Sequence, residues 1–245
     1  MDWRRAKTIL IVTFLLLNLY LASQLNDTVY NQSLYVNNNL ISDDQINNLL
    51  KANQVQLDPQ KKPRNIEKVN LWKGQIETFP SHVRVEDSLF EVNATIPPGT
   101  EKATATAIKS AIQTVYSGEL SYTGRREGDT YYFNQMIGEI PIYSNPLEAT
   151  YSNGKIKVKG VLFVPVDNGE PIPLIPVNNA LYTLINNKDP KTFIDKQIDS
   201  IQLVYWLSSD DPAYLVPYWR FQIGDSSHLV NAHKSDSSTE LITEN

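Results

Sequence analysis

The apolar residues of this chain form one long uninterrupted run near the N-terminus and many short periodic runs after it. The long run, Thr8 to Leu25, contains no charged residue. As a helix with a rise of about 1.5 Å per residue it would be ~27 Å long, close to the hydrocarbon thickness of a bilayer. Three basic residues precede it, and the next lysine follows only at position 51. The positive-inside rule therefore predicts a transmembrane signal anchor at residues 8–25, in contact with the lipid bilayer.

The predicted topology is single-pass in the cell membrane. Residues 1–7 form the cytoplasmic tip, and the C-terminal domain is extracellular. The competing interpretation is a cleaved signal peptide, because a short basic region before an apolar run also fits that class of segment. Cleavage requires small residues at −3 and −1, and the candidate sites at Ala22 and Ser23 place a large residue at −3. The chain also has no cysteine for a lipoprotein anchor. We therefore expect the span to be retained.

Asn18 is the unusual residue of the span, because it places an amide near the middle of the membrane. An amide in lipid gains from a hydrogen bond to a neighbouring helix, which makes Asn18 a candidate for transmembrane interaction. The alternative is that one uncharged amide is tolerated without a partner. The sequence leaves these two interpretations open.

Helical spacing of apolar residues predicts three short helices after the span. Ser42 and Gln45 form a capping-box pattern before a helix at about 43–52. A second helix is predicted from Thr100 to Tyr116, with Val115 on its apolar face. A third, capped by Asn178, is predicted to end near residues 186–187.

Alternating runs between and after these helices predict β-strands, with a hairpin turn at Asn153-Gly154. They include a strand at 140–144 and three successive strands near the C-terminus, at 196–208, 213–223 and 227–232. The order of a helix followed by strands favours an α+β ectodomain in which short helices pack on antiparallel β-sheets. Pro97-Pro98-Gly99 is expected to divide it into a first α+β unit at 26–98 and a second at 99–235. A polar tail is predicted at 236–245.

Composition and charge narrow the class of partner. The hydrophobic share of 41% and the 13 tyrosines predict a folded domain rather than a disordered stalk. A net charge of −5 argues against nucleic acid as a partner. Without cysteine, no disulfide can stabilise the ectodomain, so its stability must come from packing.

The residues most often used in catalysis form no recognisable site. The zinc-protease spacing of histidines is missing, and so are the nucleophile-elbow, phosphate-binding and dinucleotide-binding motifs. We therefore predict no catalytic residues, no cofactor and no metal site, and we do not expect an enzyme. The side chains considered were the histidines His82, His228 and His233, and the carboxylate pairs Asp43-Asp44, Glu86-Asp87 and Asp210-Asp211.

Two aromatic segments near the C-terminus are candidates for a partner surface. Strand alternation places Tyr218 and Arg220 on the face opposite Trp219 and Phe221, and Tyr205 opposite Trp206. We assign Trp206, Trp219 and Phe221 to the core. Tyr205, Tyr218 and Arg220 are then the candidate partner surface. The alternative is ordinary cross-strand packing with Arg220 stacked on an aromatic ring.

The two ends of the chain carry a recognisable set of residues. Met1-Asp2-Trp3 and Lys7-Thr8-Ile9 precede the apolar run, and the cysteine-free ectodomain ends in YW…PYWRF…NA. In these features the chain resembles the YycI (WalI) family of membrane-anchored regulators. The resemblance implies a non-catalytic role beside the cell-wall two-component system of low-GC Gram-positive bacteria. The implied partners are a sensor histidine kinase of the WalK/YycG type and a YycH-like single-span regulator. It also implies helices packed on antiparallel sheets.

Three functions follow from these observations. The first is a membrane-anchored regulator that modulates a sensor kinase, and a flat surface rich in sheet edges would favour it. The second is an anchored extracytoplasmic sensor of a ligand or peptide, favoured by a large apolar pocket with a few polar groups. The third is a cell-wall enzyme with unrecognised chemistry, favoured by converging buried carboxylates.

Overall fold

Antiparallel-rich sheets and short helices make up the described part of the chain, so the predicted α+β class is confirmed. Within that part no helix is long and apolar enough to cross a bilayer. Most of the predicted anchor at 8–25 lies outside it, and the anchor stays a prediction. The computed structural model describes residues 13–14, 17–18, 40–63, 66–77, 90–167, 169–187, 193–208, 213–233 and 241–244.

Three helices and fifteen strands follow residue 40 in the described ranges. The helices are α1 (Asp43–Ala52), α2 (Glu101–Ile112) and α3 (Val177–Asn187), with a 3-10 turn at Pro59–Lys61. The strands are β1 (Gln56–Leu57), β2 (Lys68–Asn70), β3 (Lys73–Glu77), β4 (Phe90–Asn93), β5 (Glu119–Glu127), β6 (Thr130–Ile137), β7 (Ile140–Pro141), β8 (Leu147–Ser152), β9 (Lys155–Lys159), β10 (Leu162–Asp167), β11 (Pro171–Pro173), β12 (Gln197–Leu207), β13 (Ala213–Ile223), β14 (Ser226–Asn231) and β15 (Leu241–Glu244).

Local sequence signals explain how α1 and the hairpin between β8 and β9 form. The Ser42 hydroxyl accepts the Gln45 backbone N–H at 3.2 Å, and the Gln45 side chain accepts the Ser42 N–H at 2.9 Å. This capping box is confirmed, and α1 has the bounds that it predicts. Asn153 and Gly154 both adopt positive φ, 52° and 75°, which confirms the tight turn expected of an Asn-Gly pair.

Two details of the other helices differ from the prediction. The second helix ends at Ile112, so Val115 lies in the turn beyond it and is 47% exposed. The third begins before Asn178, whose side-chain amide does not cap it. That amide donates to the Ile41 carbonyl at 2.8 Å and to Asp43 Oδ1 at 3.0 Å. Asn178 therefore ties the start of α1 to α3, two elements far apart in the sequence.

The larger sheet has seven strands in the order β1-β12-β13-β14-β15, with β3 added to β13 and β10 added to β3. Helices α1 and α3 cover one of its faces and bury the main hydrophobic core there. Trp219 is fully buried in this core, and its indole N–H donates to the Ile175 carbonyl at 2.9 Å. Strand β15 corrects the prediction of a purely polar tail at 236–245. Its β-branched Ile242 and Thr243 suit pairing with the edge of β14.

The second sheet has six strands in the order β4-β9-β8-β6-β5, with β7 added to β6. Helix α2 packs on it through Ala105, Ile108 and Ile112. Strand β4 precedes residue 98 but pairs with β9, and α1 packs with strands that follow residue 196. The elements before and after residue 98 therefore do not form two separate α+β units, as the sequence had predicted. Strands β1 and β3 of the larger sheet come first in the chain, and the second sheet follows within residues 90–159. The later strands β10 and β12 to β15 belong to the larger sheet again.

Two segments that contact the larger sheet meet at Gln135 on β6, whose side chain is buried: the connection from β9 to β10, and the residues after β7. Its carbonyl oxygen Oε1 accepts the Phe163 N–H at 3.0 Å and the Tyr116 hydroxyl at 3.3 Å. Its amide nitrogen donates to the Val161 carbonyl at 2.7 Å, and its backbone carbonyl accepts the Ile142 N–H at 2.8 Å. One residue thus binds both segments, the connection from β9 to β10 through its side chain and Ile142 through its backbone carbonyl.

Replacing Gln135 with Leu should destabilise the fold by several times the effect of an exposed replacement. The Val161 carbonyl and the Phe163 N–H would lose their partner in a buried place, at about 1–3 kcal/mol for each unpaired group. For a domain of this size about 1 kcal/mol lowers the melting temperature by ~2–4 °C. We expect a loss of roughly 5–15 °C by calorimetry. The matched control is Gln75→Leu on β3, whose side chain is exposed. Equal melting temperatures for the two variants would contradict this role of Gln135.

Candidate functional site

A cleft of about 730 Å³ lies between the second sheet and the face of the larger sheet that the helices leave uncovered. Strands β5 and β6 form one wall, β12 and β13 form the other, and the segment from Glu139 to Pro146 joins them. The lining is rich in tyrosine, arginine, amide and hydroxyl groups. It consists of Ser121, Tyr122, Thr123, Arg125, Tyr132, Asn134, Met136, Glu139, Pro141, Tyr143, Ser144, Pro146, Gln202 and Arg220.

Tyr143 determines the shape of this cleft because it crosses the larger sheet. Its backbone N–H donates to the Tyr205 carbonyl at 2.8 Å, on the edge of β12. Its hydroxyl reaches Ser227 on β14, with an O–O distance of 3.1 Å. The ring therefore passes over both β12 and β13, and it packs with the hydrophobic cluster of Val204, Tyr218 and Leu229. The contacts at both ends hold the side chain in one position.

Arg220 is held by its neighbours on this face. Its guanidinium carbon lies 4.4 Å from the centre of the Tyr143 ring, a cation–π contact. Its Nε–H donates to the Ser227 hydroxyl at 3.1 Å, and its Nη2 donates to Gln222 Oε1 at 2.5 Å. Ser227 in turn donates to Gln222 at 2.6 Å. Since that donation uses the Ser227 proton, the Tyr143 hydroxyl must donate to Ser227.

The arginine on the opposite wall has a different environment. Arg125 lies over the Tyr132 ring at 4.3 Å, and it forms an ion pair with Glu127 at 2.5 Å. Glu127 also accepts the Tyr132 hydroxyl at 2.9 Å. These hydrogen bonds lower the pKa of Glu127, with the Arg125 bond as the main cause, and the bond to Glu127 raises the pKa of Tyr132. The charge of Arg125 is thus already neutralised by a neighbouring carboxylate.

Three polar side chains of the lining keep unused hydrogen-bonding groups among the described residues. The amides of Asn134 and Gln202 make no hydrogen bond there, and Arg220 has no carboxylate within 4.0 Å in that part of the chain. Glu139 contributes the negative charge of the lining. The cleft therefore offers amide groups and one guanidinium that remain able to bind a ligand.

Of the expected partner surface, the structure leaves only Arg220 accessible. Tyr205 is 1% exposed, and its hydroxyl donates to the Asn70 carbonyl at 3.0 Å. Burial raises the pKa of Tyr205 to about 12. Tyr218 is 3% exposed and packs against Trp206, with the ring centres 6.3 Å apart. Neither tyrosine can present its ring to a partner protein in this conformation.

The pairing of β12 with β13 corrects the expected assignment of faces. Leu203 lies opposite Trp219, and Val204 lies opposite Tyr218. Directly opposed residues of an antiparallel pair share a face, so Trp206 belongs with Tyr218 and not with Trp219. Tyr205 in turn lies on the face of Trp219. Alternation within one strand was predicted correctly, but the register between the strands was not.

The lining of the cleft contains none of the other candidate residues that the structure describes. Asn18 is in helical conformation and exposed, and its role between helices stays a prediction. His228 is buried with its ring 5.5 Å from that of Phe193, and His233 is half-buried. His82 and two of the carboxylate pairs, at 86–87 and 210–211, lie outside the described residues.

The other side chains considered for chemistry form no cluster in the described ranges. There no group of at least three His, Cys, Asp or Glu could hold a metal ion. Asp43 accepts a hydrogen bond from Lys62, which is the main cause of its lowered pKa. The buried polar side chains of the same ranges are Gln135, Thr183, Ser227 and His228.

Sequence reasoning did not identify Tyr143, Gln202 or Ser227 as residues of the site. Tyr143 belongs to a segment whose alternating pattern predicted a plain strand at 140–144, whereas the strand ends at Pro141. Pro141 and Pro146, which border this segment, were the available signal, because proline interrupts a sheet ladder. Which strand lies beneath the segment depends on long-range packing.

Tyr218 and Trp219 should both prove essential for stability. Truncating a buried aromatic residue costs ~3–5 kcal/mol, and both side chains are buried on opposite faces of β13. We expect Tyr218→Ala and Trp219→Ala each to lower the urea midpoint strongly. The half-buried Tyr214 on the same strand is the control, and Tyr214→Ala should cost much less. A Tyr218→Ala protein as stable as the wild type would contradict the observed burial.

Comparisons with known proteins give the chain no family. No family model matches it, and no curated protein matches it. Among solved structures it is similar to an uncharacterized protein from Eubacterium rectale ATCC 33656, with 14% identity and a TM-score of 0.36. That similarity covers 83% of this chain and 78% of the other.

Proposed function

We propose that this chain is a non-catalytic, membrane-anchored regulatory protein of cell-wall two-component signalling. In this proposal residues 8–25 cross the cell membrane once, and the C-terminal domain is extracellular. The protein associates with a sensor histidine kinase and with a YycH-like single-span regulator, and it modulates the kinase. It needs neither a cofactor nor nucleic acid for this role.

The observation that supports the proposal most directly is the charge-free run behind a basic tip. The resemblance of the chain to the YycI family gives the expected partners. The helical residues described within the run add a second argument. Phe14, Leu17 and Asn18 lie at i, i+3 and i+4, so they share one helix face. Phe14 is 63% exposed and Leu17 is 51% exposed. Large exposed apolar side chains around one amide suit contact with lipid and with a second helix.

A second candidate function is an anchored sensor of a small ligand or peptide. It is favoured by the cleft, whose volume of about 730 Å³ falls within the ~300–1,000 Å³ of typical ligand sites. The lining is more polar than the apolar pocket that we expected of a sensor. The two functions are compatible, because occupation of a cleft between two sheets can alter how the ectodomain meets a partner.

The regulator role predicts stable association in the membrane. Full-length protein with a C-terminal affinity tag, solubilised from membranes, should co-purify with a sensor histidine kinase and a second single-span protein by mass spectrometry. The control is a secreted version that lacks residues 1–25 and carries a cleavable signal peptide. It should not fractionate with membranes and should recover far less kinase. Failure of the full-length chain to enrich a sensor kinase would refute the proposal.

The helix face around Asn18 predicts a specific contribution to that association. Asn18→Leu should weaken association by a few-fold, because transmembrane hydrogen bonds contribute about 0.6 kcal/mol on average and up to ~2 kcal/mol. The double variant Leu16→Asn/Asn18→Leu keeps the composition but moves the amide about 200° around the helix, so it should be as weak as Asn18→Leu. A two-hybrid assay in membranes measures both. Wild-type association in Asn18→Leu would show that the amide is only tolerated.

A further inference from the structure

We propose that the cleft binds a small organic monoanion and that Arg220 holds the carboxylate of this ligand. The inference rests on the second candidate function, binding of a ligand between the two sheets, and it assigns the chemistry of that ligand. It concerns the extracytoplasmic domain alone. It is therefore independent of which proteins the chain meets in the membrane.

Arg220 is arranged to bind a planar anion. Stacking on Tyr143 and the hydrogen bonds to Ser227 and Gln222 fix the plane of its guanidinium. These bonds use Nε–H and one N–H of Nη2, so the other N–H groups have no partner in the described part of the chain. Arg220 lines the cleft, and a guanidinium presents its terminal donors as a fork that fits a carboxylate. The network beneath Arg220 reduces the entropy lost when a ligand binds.

The balance of charge around the cleft favours a carboxylate over a phosphate. Arg125 is paired with Glu127, so Arg220 is the guanidinium of the lining that has no carboxylate within 4.0 Å among the described residues. It can bind one carboxylate, and Glu139 in the same lining opposes a second negative charge. A phosphate dianion would need further donors of the kind that helix N-termini or additional cations supply. The described lining contains only strand and loop residues.

The rest of the lining suits hydroxyl and amide groups on the same ligand. Asn134 and Gln202 have amides without a protein partner in the described ranges, and Ser121 contributes a hydroxyl. The ring of Tyr122 adds a partly apolar surface on the same side. Two sources share this chemistry: an acidic sugar, and the carboxyl end of a short peptide. Both fit a cleft of about 730 Å³.

Ligand binding is tested on the full-length chain in detergent by isothermal titration. One arm uses a disaccharide that contains a uronic acid, and the other uses acetyl-trialanine with a free carboxyl end. Each is compared with its neutral form, the methyl ester or the carboxamide, and inorganic phosphate is titrated in parallel. We expect one carboxylate arm to bind saturably and its neutral form to bind at least about tenfold more weakly. The arm that binds identifies the source.

The variants assign binding to the cleft. Arg220→Gln should weaken carboxylate binding by about tenfold or more. Arg220→Lys keeps the charge but loses the fork, so its affinity should fall between those of the wild type and Arg220→Gln. Arg126→Gln is the matched control, because Arg126 lies next to Arg125 on β5 but outside the cleft lining. It should bind like the wild type. Melting temperatures of all variants verify folding. If Arg220→Gln does not fold, the affinity of Arg220→Lys tests the role of Arg220.

Each other outcome overturns the inference in a distinguishable way. Equal binding of the neutral forms, unaffected by Arg220→Gln, would keep a ligand site in the cleft but reject the carboxylate. Tighter binding of phosphate would reject the assigned anion. Wild-type affinity in folded Arg220→Gln and Arg220→Lys proteins would place the anion elsewhere. An absence of saturable binding by every probe would reject the second candidate function together with the inference.

Discussion

The arrangement of the two sheets depends on the hydrogen bonds of one buried amide, the side chain of Gln135. A buried amide is stable only when its polar atoms find partners, and here two of these partners belong to the connection from β9 to β10, which joins the sheets. The Val161 carbonyl and the Phe163 N–H lie where the chain leaves the second sheet for β10. The backbone carbonyl of Gln135 accepts the Ile142 N–H, where the segment after β7 lies beside β12. Gln135 therefore holds the second sheet to the larger one at two places.

The cleft is shaped by the segment that begins at Ile142, which is bound to the backbone of Gln135. With Ile142 bound to β6, the next residue is in position to donate its N–H to Tyr205 on the edge of β12. From there the Tyr143 side chain crosses the larger sheet to Ser227 and supports the guanidinium of Arg220. The residues that shape the site are distributed over β6, a connecting segment, β13 and β14, and no short motif contains them.

Features that depend on neighbouring residues could be predicted from the sequence. The capping box at Ser42 and Gln45, the Asn153-Gly154 turn and the three C-terminal strands depend on local hydrogen bonds and on alternation, and each is observed. The division at residue 98 was not observed, because Pro97-Pro98-Gly99 ends a strand but does not determine which sheet that strand joins. Likewise, Gln135 in a run of aromatic and polar residues carries no signal that its amide is buried.

The candidate site shows the same limit at the level of single side chains. Alternation along β13 separated Tyr218 and Arg220 from Trp219 and Phe221 correctly, because it depends only on the pleat. It could not show that both faces of the larger sheet are covered, by helices on one side and by Tyr143 with its neighbours on the other. A sheet covered on both faces buries Tyr218 as fully as Trp219, so polarity no longer distinguishes an inner face from an outer one. Arg220 remains accessible because its long side chain extends from the covered face into the cleft. The surface open to a ligand is therefore determined by where the covering segment ends.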